Sequence, residues 1–576
     1  MRSRFSRVTA IVCSCLLASA PIQSALAEAA DPDRLASAMD ATAEALEAIA
    51  AAAPRADFEV PALAASIDGD SGALSAWVQA HIAPDAYRGE LKGAEGALED
   101  RRGNSLDRAL LLAALVKAKG GTARLARTTL ESATALKLAE TIAAESHTPA
   151  AALDATRIDP ILAALESDTR INGAALKAAR EKAEGEAAAA SAAGDALRSK
   201  VTAGLVGLVG SRLPGETATA VMLADHWWVQ VEQGGVWVDL DPDATTVGAL
   251  SATETMDADA VPQSEKHRVT LRVVAETAPR GGALTTTTLL ERTYDTADVN
   301  GRILSLATQP LNAPGLDALA ATKGDIAADY RAGTAWLPVL VADGPEIQNL
   351  IRDDGAILEA TDANIQQQTG VAAAFGGNTS GLDQIGSGEE EPAEAASAGQ
   401  FTSAWIEFEI TAPGAPAHTE RRVIFDAIGA EARANGAVPE ELTDAALAAR
   451  GQALRDTYAI VIQGGAISPA RAASRFAASV AMARRFVANW LRGGASETGP
   501  LYPDEFRLPN LELTAWAMGR DGDVALAGTN IALLRDTALI GDDGLSMIQV
   551  FDIVANPVAG PNGAARLAAG VGDTVL

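Results

Sequence analysis

Cysteine is almost missing from this chain. The 576 residues contain two, Cys13 and Cys15. Both fall in a stretch that reads as a removable leader, so a chain processed after Ala27 carries no thiol. Disulfides, cysteine metal sites and a cysteine nucleophile are then excluded together. Histidine is scarce as well. His81, His147, His226, His267 and His418 are scattered, with no two at i, i+4, which argues against a histidine zinc site. Aromatics are 4% of the chain, so Ala, Leu and Val must fill the cores. Positive charge is in deficit, with Lys+Arg 46 against Asp+Glu 75 and a net charge of −29. Such a chain is repelled by phosphate backbones and anionic bilayers, which excludes general nucleic-acid binding. After the leader no apolar run approaches about 18 residues, so no membrane span is expected. Phosphate-loop, dinucleotide and Gly-x-Ser-x-Gly signatures are missing, and no cofactor or metal is expected. Asp239–Asp243 imitates the start of a calcium loop. Ala244 and Leu250 stand where such a loop needs Gly and Glu.

What is present points to export. Arg2, Arg4 and Arg7 precede an apolar stretch from Val8 to about Ala20, followed by Ala25-Leu26-Ala27. That is a basic region, an apolar core and a small-x-small cleavage site, a signal peptide over residues 1–27. Too little apolar sequence precedes Cys15 for lipid attachment. The expected location is the periplasm or the exterior of the cell.

At roughly 100–200 residues per domain, the length predicts about three or four units. Residues 28–70 form an N-terminal helical segment, Ala-rich over 28–60, where an exposed helix is predicted. Residues 71–250 mix helical and strand signals, with Ala, Glu and Lys dominating an inserted stretch at about 128–220. Residues 251–385 are β-rich, with clean alternation at Val269–Val273 and a strand pattern at Thr285–Thr293. Residues 386–399 (GSGEEEPAEAASAG, with Gly386 first) form an acidic linker, the expected site of first proteolysis. Residues 400–576 form an α/β module. In it Ala404, Ile406, Phe408 and Ile410 alternate with polar neighbours, and Pro413-Gly414 leads to a second strand at Glu420–Asp426. A helix from about Pro469 to Arg492 starts behind Ser468, ends at Gly493-Gly494, and carries Phe476, Val480, Ala483, Val487 and Trp490 on one stripe.

Two segments combine residues able to carry chemistry. Gly103-Asn104-Ser105-Leu106-Asp107 opens a helix whose apolar residues wrap almost all round, so the helix is predicted to be buried. A side chain at that start meets free N–H groups and the positive end of the helix dipole, which suits an anionic nucleophile. His226-Trp227-Trp228-Val229 and Trp237-Val238-Asp239-Leu240-Asp241-Pro242 read as two strands around Gly234-Gly235. The hairpin places His226 near Asp241, and an acid beside an imidazole fixes its tautomer and stabilises its cation. Trp227, Trp228 and Trp237 read as core and groove wall, and Trp77 as core.

The Gly-Asn start of the buried helix, Ala123-Arg124 after it, and the His-x-Trp-Val and Trp-Val-x-Leu-Asp-Pro blocks together resemble the transglutaminase-like superfamily. Trp77-Val78, His81-Ile82 and Tyr87-Arg88-Gly89 look like the element that precedes the nucleophile in that family. The resemblance covers about residues 70–245, and the chain is similar to large exported bacterial proteins with this domain. It implies an α+β fold with a papain-like core, in which a buried helix packs on an antiparallel sheet. It also implies a Cys-His-Asp triad. Carried across, the positions are Ser105, His226 and Asp241, with serine where the family has cysteine. Serine hydroxyl is a far weaker acid than thiol and depends on a base acting during attack. Three readings of Ser105 stay open: a degenerate site that binds protein or peptide, a working serine triad of an amidase, peptidase or acyltransferase, and a simple helix-start residue beside an Asn104 cap. The expected partner is a protein or peptide ligand.

Overall fold

A computed structural model describes residues 32–144, 155–182, 185, 216–279, 283–311, 335–342, 344–361, 363–365, 399–435, 441–492, 528–541 and 544–557. The leader, most of the acidic linker, Ala187–Asp195, Gly493-Gly494 and the last 19 residues lie outside them. The architecture is α+β with mainly antiparallel sheets. Among the described residues no helix is long and apolar enough to cross a membrane.

The first unit begins with α1 (Pro32–Ala51), α2 (Val60–Ser66) and α3 (Ser71–His81). A two-residue strand, β1 (Ala83–Pro84), pairs in parallel with β2 (Arg102–Gly103) on either side of α4 (Gly93–Asp100). Then comes α5 (Ser105–Ala118), nearly every residue of which is buried between Leu106 and Val116. It packs on a four-stranded sheet in the order β5-β4-β3-β6, with β3 at Ala123–Thr129, β4 at Asp225–Gln233, β5 at Val236–Leu240 and β6 at Glu254–Met256. Leu106, Ala109, Leu112 and Ala113 of α5 share one core with Leu125, Trp227, Val229 and Val231. Among its described residues the inserted stretch carries the helices α6 (Ser132–Ala144), α7 (Ala155–Glu166) and α8 (Glu216–Leu223).

The second unit is a β-sandwich. One sheet runs β15-β14-β7-β8, from β7 (Arg268–Ala278), β8 (Thr285–Asp295), β14 (Gln400–Thr411) and β15 (His418–Asp426). The other runs β13-β12-β10-β9-β16-β17-β18, with β9 at Ile303–Pro310, β10 at Ala335–Val341, β12 at Asn349–Arg352, β13 at Ile357–Glu359, β16 at Thr457–Gln463, β17 at Gly528–Gly541 and β18 at Gly544–Pro557. A short β11 (Pro345–Glu346) pairs with β10. Leu271 and Val273, Ile406 and Phe408, Leu304 and Leu306, and Ile460 and Ile462 meet between the sheets. The alternation seen from Ala404 to Ile410 is therefore that of a strand with one face in this core, and β14–β15 is the expected hairpin. The division at the linker is corrected here. Strands from 251–385 and from 400–576 interleave in both sheets, so these stretches build one unit rather than two modules.

A helix after β16, α9 (Pro469–Leu491), matches expectation in extent and in burying Phe476 and Val480. Trp490's side chain lies outside the described residues. Ser468 does not cap it, for its hydroxyl is buried with no hydrogen-bond partner among the described residues, while its N–H donates to Glu99 (3.0 Å). The helix expected to be exposed in 28–60 is instead buried on one face. Ala43, Leu46 and Ile49 of α1 are buried against Phe476, Ala477 and Val480, because alanines on both helices allow close approach.

Candidate functional site

The site forms where the start of α5 meets the start of β4. Asn104 caps α5: its carbonyl oxygen accepts from Asp107 N–H (2.9 Å), and its amide donates to the carbonyls of Tyr87 (3.0 Å) and Gly89 (2.8 Å). Ser105 is thus the first residue of the helix, just inside the cap.

Strand β5 stops at Leu240, opposite Val229, so no β5 residue stands beside Trp227. Trp227 N–H donates instead to Ser105 Oγ (3.2 Å). The serine and the residue after His226 are therefore in direct contact across 122 positions of sequence. His226 is 0% exposed. Its Nε2 lies 2.9 Å from Asp241 Oδ2, and its ring stacks on Trp228 with centroids 6.1 Å apart. Asp241 is itself held, as its second oxygen accepts from Asp243 N–H (2.8 Å). His226 Nδ1 is buried without a hydrogen-bond partner among the described residues. All three residues singled out in the sequence are thus brought together: His226 and Asp241 as a bonded pair, Ser105 through its bond to the backbone of β4.

No protein-family model, curated protein or solved structure matches this chain. The chemistry of the site rests on its own geometry.

Sequence reasoning missed the supports given by Arg108 and Arg127, and saw Asp107 only as the partner of Asn104 in the helix cap. Arg108, one turn into α5, forms a buried ion pair with Asp243. His226, Asp241 and Asp243 each offer a ligand atom, and these atoms lie within 4.8 Å of one another. That is a spacing at which carboxylates can share a cation, and here the Arg108 guanidinium supplies positive charge to Asp243. Asp107, wholly buried, accepts from Tyr87 Oη (2.6 Å) and from the N–H groups of Leu91 (3.3 Å), Lys92 (3.0 Å) and Gly93 (2.9 Å). Burial pushes its carboxyl above the usual range, against the pull of those donors. Arg127 grips Asp225, the residue before His226, through two bonds (2.6 and 3.1 Å), and reaches Glu265 (2.9 Å). An acid three positions into a helix behind Asn is a visible cap signal. The Arg108 and Arg127 pairings join residues about 100 or more apart and leave no local signature.

The sandwich meets this site through a strand-like contact. Glu90 N–H donates to Glu265 O (2.6 Å), His267 N–H donates to Glu90 O (2.9 Å), and His267 Nε2 bonds Arg88 O (2.9 Å). Burial holds His267 down to a pKa of about 4 and pushes Glu90 up to about 7.

The tryptophans divide. Trp227 and Trp228 are buried, as expected. Trp77 is partly buried at the core edge, stacked on His81. Trp237 lies at the surface rather than in the core, 36% exposed, with the Arg124 guanidinium 4.1 Å from its ring centroid. It lies on β5, the edge of its sheet, next to Val236 at 64% exposed.

Proposed function

We propose that residues 71–250 are a transglutaminase-like domain on a papain-type core, catalytically degenerate through Ser105, in an exported protein that binds protein or peptide in the cell envelope. The packing of a buried helix on an antiparallel sheet, with His226 and Asp241 adjoining the helix start, supports the family reading. The observation that carries the degenerate reading is the state of Ser105 and His226. The serine oxygen accepts from Trp227 N–H, and among the described residues nothing bonds the buried imidazole's Nδ1, so the serine hydroxyl is not hydrogen-bonded to it. A working serine places its hydroxyl proton on a general-base nitrogen. Among the described residues β5 pairs only with β4, and with Val236 and Trp237 exposed this edge supports an extended polypeptide as ligand, since such a chain can pair with a strand edge by main-chain hydrogen bonds.

The test is covalent labelling with a fluorophosphonate, read by mass on the folded protein, beside Ser105→Ala and His226→Ala. The expected outcome is no label on Ser105. A label there that vanishes in both variants overturns the degenerate reading. It would establish the second one, a serine-dependent amidase, peptidase or acyltransferase, which the intact His226–Asp241 pair favours.

A further inference from the structure

A second constellation lies on the far side of the loop that Asp107 holds. Lys92 and Asp100 sit at the two ends of α4, and both side chains are 0% exposed. Lys92 Nζ contacts Asp100 Oδ2, and the same nitrogen lies 3.4 Å from Asp85 Oδ2 and 3.4 Å from the carbonyl oxygen of Arg102. It also stands over the Tyr87 ring, 5.3 Å from the centroid. Asp85 is buried, and its other oxygen accepts from Ala86 N–H (2.9 Å).

The cluster is sealed by backbone. Gly465, in the connection from β16 to α9, covers it so closely that a Cβ there would stand 2.7 Å from Asp100 Oδ2 and 3.0 Å from Lys92 Cε. An amine, a carboxyl in contact with it, and a second carboxyl on the same amine are thus buried together.

We propose that Lys92 and Asp100 condense to an intramolecular amide, with Asp85 as the proton carrier. Within the contact a proton passes from Lys92 Nζ to Asp100, and the freed lone pair attacks Cγ of that carboxyl. Asp85 takes a proton from the nitrogen and returns it to the departing hydroxyl, which leaves as water. One C–N bond forms, one C–O bond breaks, and the protein loses one water without any oxidant or activating group. The ingredients match nucleophilic and general acid–base catalysis, with enforced contact supplying the orientation. The bond would staple the two ends of α4, immediately before the Asn104 cap, in a chain whose cysteines cannot do so.

Peptide mapping of the folded wild-type protein tests this directly. Trypsin acting on unmodified chain cuts after Arg88, Lys92 and Arg101, giving peptides 89–92 and 93–101. The amide blocks cleavage at Lys92, and the expected species is 89–101, lighter by one water, with no backbone fragments released between positions 92 and 100. Asp100→Asn is expected to give the same species, since it loses ammonia where the parent loses water. Lys92→Arg, which keeps the charge but has no attacking amine, is expected to lack it. Recovery of only the two linear peptides from folded wild-type protein overturns the proposal. A water loss that persists in Lys92→Arg overturns it as well, by placing the dehydration elsewhere. The wild-type map stands whether or not a variant folds.

Discussion

Arg108 and Asp243 form a buried ion pair that ties the first turns of α5 to the residue two beyond Asp241. The pair sets the distance between the helix start that carries Ser105 and the turn that carries the acid of the His226–Asp241 pair. Removing one member leaves the other charged and buried, which costs about 3–5 kcal/mol. Asp243→Ala is therefore expected to lower the urea unfolding free energy by that order. Arg108→Met with Asp243→Leu is expected to recover much of it. Equal loss in the single and double variants would mean that the pair contributes nothing specific.

Asp107 offers a second handle. Its carboxylate satisfies three backbone N–H groups of the 91–93 segment and the Tyr87 hydroxyl. Each buried donor left unpaired costs about 1–3 kcal/mol. Asp107→Ala is expected to destabilise by at least about 3 kcal/mol, or to prevent folding. Amide exchange at Leu91, Lys92 and Gly93 is the direct readout, and in Asp107→Asn it should speed up at some of these sites only.

Ser105→Cys places a thiol at the first residue of a helix beside the His226 strand. Helix N-termini and neighbouring imidazoles pull a thiol below its ordinary pKa of about 8.5. Alkylation by iodoacetamide is expected to proceed faster than on a free cysteine at pH 7, and to slow in Ser105→Cys with His226→Ala. Reactivity like that of free cysteine, independent of His226, would argue that the site no longer supports an anion.

The contact between Arg88–Glu90 and Glu265–His267 has two opposed pH limits. His267 has its pKa held down to about 4, against an ordinary 6.5. Between these values the unfolded chain binds a proton that the folded chain refuses, so stability falls as pH drops through that window, by about 3 kcal/mol. Glu90 is raised to about 7 from 4.5, mainly by burial and by the nearby Asp107. Its folded form keeps a proton longer than its unfolded form, so its contribution is full below 4.5 and lost as pH rises through about 7, again about 3 kcal/mol. Unfolding free energy measured against pH is expected to lose its acid limb in His267→Gln. It should rise relative to wild type near neutral pH in Glu90→Gln. Parallel curves for all three proteins would refute both assignments.

Proteolysis tests the sandwich. The acidic, small-residue composition of 386–399 still marks the expected first cut. Because β7 pairs with β14 and β9 with β16 across that stretch, the two halves are expected to stay together after nicking. Co-elution under native conditions, with separation only in denaturant, is the expected result.

What could be read from sequence follows from how local each signal is. The buried helix after Asn104, the alternation through Ile406 and Phe408, and the hairpin at Pro413-Gly414 are written in neighbouring residues. So were Ser105, His226 and Asp241, each marked by its immediate context. The pairing of β7 with β14 joins residues more than 100 apart, and nothing within either strand names its partner. The acidic linker looked like a domain boundary because composition reports exposure, not connectivity. The burial of α1 went unseen because alanine at close helix contacts looks the same as alanine on a surface.

The late arrival of β14 has a consequence for how the molecule is made. Strand β7 is central to its sheet, flanked by β8 and β14, yet residue 400 emerges more than 120 positions after β7 ends. Until then β7 has one ladder edge open, and the sheet that faces Val269, Leu271 and Val273 still lacks β16, β17 and β18. Contacts so distant in sequence form slowly and leave sticky intermediates. A chain interrupted anywhere before β14 carries the means of its own aggregation, so this half-made sheet is the stage at which a chaperone would be needed most.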